Sequence, residues 1–127
     1  MKSVVILGIF VTDLAFRAAR MPLLSETVPG TAFKMGPGGK GSNHAVAAAR
    51  AGANVIFCTR IGADAFGDIA QATWKAEGIT SRATVLQDLA TGAAHIYVDE
   101  NTGSNAIIVA AGALGPEDVD AIEDDIA

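Results

Sequence analysis

Two short runs without polar alternation restrict the fold most: Val4-Val5-Ile6-Leu7-Gly8-Ile9-Phe10 near the start and Val55-Ile56-Phe57-Cys58 in the middle. A strand with one face in water alternates apolar and polar side chains. A strand that does not alternate is buried on both faces, as in a parallel sheet. Residues 4–10 and 54–59 are therefore read as buried strands of such a sheet. Helical patterns accompany them. Residues 42–51 are Ala-rich, with Ala45, Val46, Ala49 and Ala53 near helical spacing and Gly52 as a stop. Residues 66–77 place Phe66, Ile69, Ala70 and Trp74 on one stripe, with Gly78 behind them. Trp74 is expected in the core.

A second kind of strand follows. Residues 84–86, 93–99 and 105–109 read as short strands joined by polar turns, and Asp99-Glu100-Asn101-Thr102-Gly103 is a strong hairpin signal. Residues 27–35 have weaker β character, broken by Pro29 and Gly30, and suggest a hairpin or a curled peripheral strand. Pro116, followed by Glu117 and Asp118, is read as the first turn of a last helix. The expected fold class is α/β: a parallel sheet with helices on both faces and a small separate sheet beside it. Two or three parallel strands cover themselves poorly, so such a unit is expected to need partners.

Composition narrows the partners. The 127 residues suit one domain or a piece of a larger one. The net charge of −5 is concentrated, because Glu117, Asp118, Asp120, Glu123, Asp124 and Asp125 supply six of the fourteen acidic residues. That run is read as the solvent face of the final helix. With no basic stripe and few aromatic residues, no nucleic-acid partner is expected. No apolar run approaches the roughly 20 residues that cross a bilayer, so no membrane partner is expected. Lys2 precedes a short apolar run without a small-residue cleavage site, which predicts no secretory leader. The single cysteine, Cys58, cannot form an internal disulfide, and a reduced cytoplasm is the expected compartment.

The stretch richest in chemistry is Gly36-Pro37-Gly38-Gly39-Lys40-Gly41-Ser42-Asn43, which leads into the Ala-rich helix. A glycine-rich turn entering a helix presents unpaired backbone N–H groups and lets a ligand approach closely, whether phosphate or sugar hydroxyl. Gly36-x-Gly38-x-x-Gly41 matches the dinucleotide fingerprint in letters, but the first long strand ends some 25 residues earlier. The Walker A pattern fails because Lys40 is followed by Gly41 rather than Ser or Thr. A purely structural turn is the plain alternative. His44 and His95 have no metal-ligand spacing and are read as packing or surface residues.

Gly38-Gly39-Lys40-Gly41-Ser42-Asn43, continuing through Ala45-Val46-Ala47-Ala48-Ala49-Arg50-Ala51-Gly52-Ala53, resembles the N-terminal signature of the ribokinase (pfkB-type) carbohydrate kinases. Gly8-x-x-x-x-Asp13 is similar to that family's first sugar contact, expected where the first strand ends. Gly62-x-Asp64-x-x-Gly67 is similar to its next strand-to-helix junction. Thr91-Gly92-Ala93-Ala94, Asn105-Ala106-Ile107 and Ala111-Gly112-Ala113 are similar to its lid strands and their return.

The resemblance implies a partial ribokinase-like doubly wound parallel sheet with a small β-sheet lid. Residues 1–127 would be the N-terminal part of that domain, with lid strands near 27–35 and 84–109. It implies that Asp13, the Gly39-Lys40 pair and Asn43 hydrogen-bond a sugar's hydroxyls. It implies ATP-dependent phosphorylation of a primary hydroxyl of ribose or a similar sugar, with Mg2+ beside ATP and a monovalent cation as activator. It also implies a homo-oligomer joined through lid strands. A nucleoside kinase of the same family, or a non-catalytic sugar-binding or oligomerising fragment, are the alternatives. Val11 stands where ribose kinases of the family carry Asn two residues before the Asp, and the customary Asn is missing after Gly112. Family members are more than twice this length. Their Gly-Ala-Gly-Asp stretch, with the catalytic base and anion hole, has no counterpart here, so no catalytic residue is assigned. The chain alone is expected to bind neither ATP nor metal and to be inactive.

Overall fold

The computed structural model describes residues 2–112, so the helix expected from Pro116 and the return after Gly112 lie outside the described residues. Within them are seven strands and two helices: β1 (Ser3–Leu7), β2 (Val11–Ala18), β3 (Ala32–Gly38), α1 (Lys40–Arg50), β4 (Asn54–Gly62), α2 (Ala65–Ala76), β5 (Thr80–Leu86), β6 (Gly92–Asp99) and β7 (Asn105–Ala110). They form two sheets. One has the order β1-β4-β5 and is parallel throughout. The other has the order β3-β2-β6-β7, with β2 and β6 parallel at its centre and antiparallel strands on both edges. This is the expected α/β class, a parallel sheet with a separate small sheet.

The hydrophobic core belongs to the parallel sheet. Val55, Phe57 and Ile61 of β4 meet Ala45 of α1 and Ala70 and Trp74 of α2, with Phe10 and Ile79 completing the cluster. The Trp74 ring meets Phe10 and Phe57 edge-on at centroid distances of 5.6 and 5.2 Å. Its indole N–H donates to Ser42 Oγ at 3.1 Å, tying α2 to the first turn of α1. Alternate residues of a strand share a face, so both helices lie on the side of Val55, Phe57 and Ile61. The covering expected on both faces is therefore present on one face among the described residues.

Three local expectations are corrected. The strand foreseen at residues 4–10 ends at Leu7, and the chain then turns away to start β2 in the other sheet. Gly8 permits the turn: a Cβ there would come within 2.8 Å of Gly41 Cα in α1. Asp13 consequently lies inside β2, not at the end of the first strand. Second, the peripheral strand foreseen at 27–35 is β3, displaced towards the glycines. Gly36-Pro37-Gly38 are strand residues paired with Asp13, Thr12 and Val11. Pro37 is tolerated because β3 is an edge strand. Third, residues 84–86 belong to β5, which pairs in parallel with β4 and is not part of the small sheet. The hairpin from β6 to β7 is formed as expected. Asp99 Oδ1 accepts from the N–H groups of Asn101 (2.8 Å) and Thr102 (3.0 Å), and Gly103 has φ 73°.

Candidate functional site

The two sheets meet at the carboxyl end of β1, the side on which open parallel sheets offer a ligand crevice. A cavity of about 670 Å³ lies there, lined by β1 and its exit (Ile6, Leu7, Gly8, Ile9), by β2, by the start of α1, and by β6 and β7. Asp13, Gly39, Lys40 and Asn43 all line it. The sequence-predicted residues, up to 30 positions apart in the chain, thus share one wall-and-floor arrangement.

Missing side chains make this convergence possible. Gly39 caps α1 with φ 90°, and a Cβ there would come within 3.1 Å of Phe10 Cα and Val11 N and closer still to Ile9 O. The helix start is thereby pressed against the β1–β2 link. A Cβ on Gly38 would overlap the Asp13 carboxylate, so glycine at 38 is what lets that carboxylate lie where it does. In α1, helical spacing then sorts the side chains. Lys40, Asn43 and His44 face the cavity, whereas Ser42 and Ala45 are buried towards the core. The Asn43 N–H donates to Gly39 O at 2.9 Å, so the backbone of Asn43 belongs to the helix. Its side chain provides no N-terminal cap, because α1 has no side-chain cap hydrogen bond.

Asp13 is half-buried, and desolvation holds its carboxyl pKa above the ordinary range. It keeps its acceptor capacity: a carboxylate can take hydrogen bonds from two hydroxyls, while Asn43 can donate and accept and Lys40 can only donate. Together these groups suit a neutral, hydroxyl-rich ligand. Sheet register explains the rest of the lining. Asp13 is level with Ala94 in β6, which is level with Val109 in β7, and Ile96 is level with Ile107. Side chains paired in this way share a face, so Val11, Ala94, Ile96, Ile107 and Val109 form the apolar side of the cavity.

The Gly62-x-Asp64-x-x-Gly67 junction lines other hollows and builds scaffold. Asp64 caps α2, accepting from Gly67 N–H at 2.8 Å, Thr91 N–H at 2.9 Å and the Thr91 hydroxyl at 2.7 Å. These bonds, the Thr91 hydroxyl first, hold its carboxyl pKa below the ordinary value. The node ties the root of β6 to the helix layer. His44, read from the sequence as a packing or surface residue, is exposed and also lines the cavity. Its position four residues after Lys40 on a helix was the available signal. His95 does have the expected packing role, stacked on Phe16 at 5.5 Å on the opposite face of the small sheet.

Comparison with known proteins identifies the family and the fold. The model of the pfkB family of carbohydrate kinases matches residues 1–127, and the chain belongs to that family. It is 40% identical over 121 residues to a ribokinase of Mus musculus, covering 92% of this chain and 37% of that protein. It is 36% identical over 128 residues to a deoxyribokinase of Salmonella typhi, covering 98% of this chain and 42% of that protein. Among solved structures, ribokinase from Cryptococcus neoformans in complex with ADP superposes with a TM-score of 0.77 at 30% identity, covering 89% of this chain and 36% of that one. The chain thus spans about two fifths of the curated relatives, corresponding to their N-terminal portion. Among the described residues, no helix is long and apolar enough to cross a membrane.

Proposed function

We propose that this chain is the sugar-binding and lid portion of a ribokinase-like kinase, which phosphorylates a primary hydroxyl of ribose or a similar sugar with ATP. The observation that carries the reading is the convergence of Asp13, Gly39, Lys40 and Asn43 on one cavity between the parallel sheet and the lid. Asp13 and Asn43 would hold ring hydroxyls, Lys40 would donate from the loop side, and the Gly39 backbone would allow close approach. ATP would supply the phosphoryl group. Mg2+ would accompany ATP in the complete kinase; no three His, Cys, Asp or Glu side chains among the described residues are grouped to hold a metal ion, and no step is derived through the metal. What this part of the molecule contributes is position: it fixes the acceptor sugar and, through the lid, excludes water around it. The 127-residue chain by itself is expected to transfer no phosphoryl group, and the lid strands are expected to join two copies.

The test is a titration of isotope-labelled chain with ribose, fructose and adenosine, following amide shifts. Ribose is expected to bind weakly, at about millimolar Kd or about 4 kcal/mol, with shifts at Asp13, Gly39, Lys40 and Asn43. Asp13→Asn should weaken binding about tenfold or more, the scale of losing a charge-assisted hydrogen bond. The same variant should melt slightly higher than wild type at pH 7. The sign follows from desolvation: a folded pKa above the unfolded one means that ionisation opposes folding, so the penalty grows as pH rises through the unfolded value and is complete above the folded one. Shifts confined elsewhere would refute the site. Preference for adenosine would favour the nucleoside kinase reading, for which the apolar group Ala94, Ile96, Ile107 and Val109 could meet a base.

A further inference from the structure

The lid is joined to the parallel unit in two physically different ways. β2 enters it through Phe10, whose ring is fixed in the core against Trp74. β6 enters it through Thr91, which is buried and held by polar bonds. The Thr91 hydroxyl donates to Asp64 Oδ1 at 2.7 Å and its N–H donates to Asp64 Oδ2 at 2.9 Å, while its Oγ accepts from the Gly62 N–H at 2.9 Å. Asp64 is itself fixed at the start of α2, where Oδ1 also accepts from the Gly67 N–H. Side-chain packing supports this root from neither face. Ala93 alternates with Ala94, so it points away from the sugar cavity. On that side Ala65, Phe66, Ala90, Ala93 and Ala110 line a second hollow of about 430 Å³, beside Asp64 and Thr91. The root of β6 thus stands between two hollows, and the Asp64–Thr91 bonds hold it there.

A strand pinned at one end acts as a lever. At about 3.3 Å per residue, Ile96 lies about 17 Å from Thr91 along β6, and Ile107 of β7 is level with it. A tilt of about 10° at the root carries both side chains about 3 Å, enough to end a van der Waals contact. We propose that Asp64 is a positioning residue for the sugar: through Thr91 it sets the angle at which β6 and β7 stand over the cavity. Asp64 lines the hollows outside that cavity and reaches the sugar only through the strand. The inference rests on the sugar-site reading above and deepens it. The chemistry calls for a carboxylate here. Three donors converge on Asp64, the N–H groups of Gly67 and Thr91 and the Thr91 hydroxyl. Only a group with two acceptor oxygens takes all three, whereas Asn turns an NH2 towards one of them. Thr91 in turn needs its hydroxyl, which donates to Asp64 and accepts from Gly62. Valine keeps the shape of Thr91 and loses both bonds.

The experiment titrates wild type, Asp64→Asn, Thr91→Val and Thr91→Ser with ribose, following amide shifts, with a melting temperature for each. Asp64→Asn and Thr91→Val are expected to weaken ribose binding about three- to tenfold, the scale of a residue that biases a site without touching its ligand. Before any sugar is added, both should shift the amides of Ala94, Ile96 and Ile107 and leave those of β1 in place. Thr91→Ser keeps the hydroxyl and should bind ribose within about twofold of wild type. Ile79→Val trims the buried core; it should melt lower and still bind ribose as wild type does, which separates positioning from lost stability. Thr91→Val leaves the bond from Gly67 to Asp64 in place, and it carries the test where Asp64→Asn does not fold. Wild-type affinity in either folded variant, Thr91→Ser as weak as Thr91→Val, or equal weakening in Ile79→Val would overturn the role of Asp64 and leave the sugar site standing. Unmoved lid amides in the folded, sugar-free variants would overturn it as well. Failure of both variants to fold would mean that the node holds the chain rather than an angle, and would also overturn it. Absence of ribose shifts in the wild-type chain would remove the sugar site itself, and this inference with it.

Discussion

The two sheets have similar apolar content and bury it differently. In the parallel unit, α1 and α2 close one face of β4, and Val55, Phe57, Ala45, Ala70 and Trp74 are at most 1% exposed. In the lid, the buried residues are few, chiefly Val11, Thr12 and Ala94 at its root and Ala18 at the far end of β2, while Phe33, Met35, Ile107, Ile108 and Val109 are all exposed. Every residue of β7 is exposed. The lid is held mainly by strand pairing and by the Asp64–Thr91 node, and its apolar surface remains available to a ligand or a second lid. Stability and recognition are thus divided between the regions, which local differences in protein stability allow.

Trp74→Ala should break the parallel unit outright. It removes the largest fully buried side chain and its bond to Ser42, at a cost of about 3–5 kcal/mol. Urea unfolding followed by far-UV circular dichroism would read this, and a loss under about 1 kcal/mol would mean that the core is not shared by the two helices. Asp64→Ala acts at the join between the regions, where three hydrogen bonds end. The expected loss is about 1–3 kcal/mol at neutral pH. The folded carboxyl pKa is depressed, so the stabilisation is present above the unfolded carboxyl pKa and is lost as pH falls through the folded value. Wild type and variant should therefore converge in acid; a constant difference down to pH ~2 would deny the charge its role. Ile107→Lys, on the exposed strand of the lid, should change stability least, by within about 0.5 kcal/mol. If the lid joins two copies as proposed, sedimentation across a hundredfold dilution should show wild type pairing and this variant monomeric. A dimer that survives the change would remove the lid as its interface.

The parallel core was largely legible in the amino-acid sequence. The unalternating runs at 4–10 and 54–59, the Ala-rich stretch before Gly52 and the stripe through Trp74 each express local period and burial, which neighbours in the chain reveal. The motif residues Asp13, Gly39, Lys40 and Asn43 were also legible as a set, through resemblance. What sequence alone did not supply was β2. Val11-Thr12-Asp13-Leu14-Ala15-Phe16-Arg17-Ala18 mixes charged and apolar residues without clean alternation, because its burial changes along the strand: buried at its root, exposed at Phe16 and Arg17, and buried again at Ala18. The assignment of 84–86 likewise depended on a partner, since a short strand does not announce which sheet it joins. Tertiary structure alone decided the glycine contacts. Gly8 against Gly41, and Gly38 beneath the Asp13 carboxylate, are non-local approaches that the absence of a Cβ permits but does not specify. Those contacts brought a strand residue and a helix start to one cavity, and turned Val11 from a departure in a motif into part of a wall.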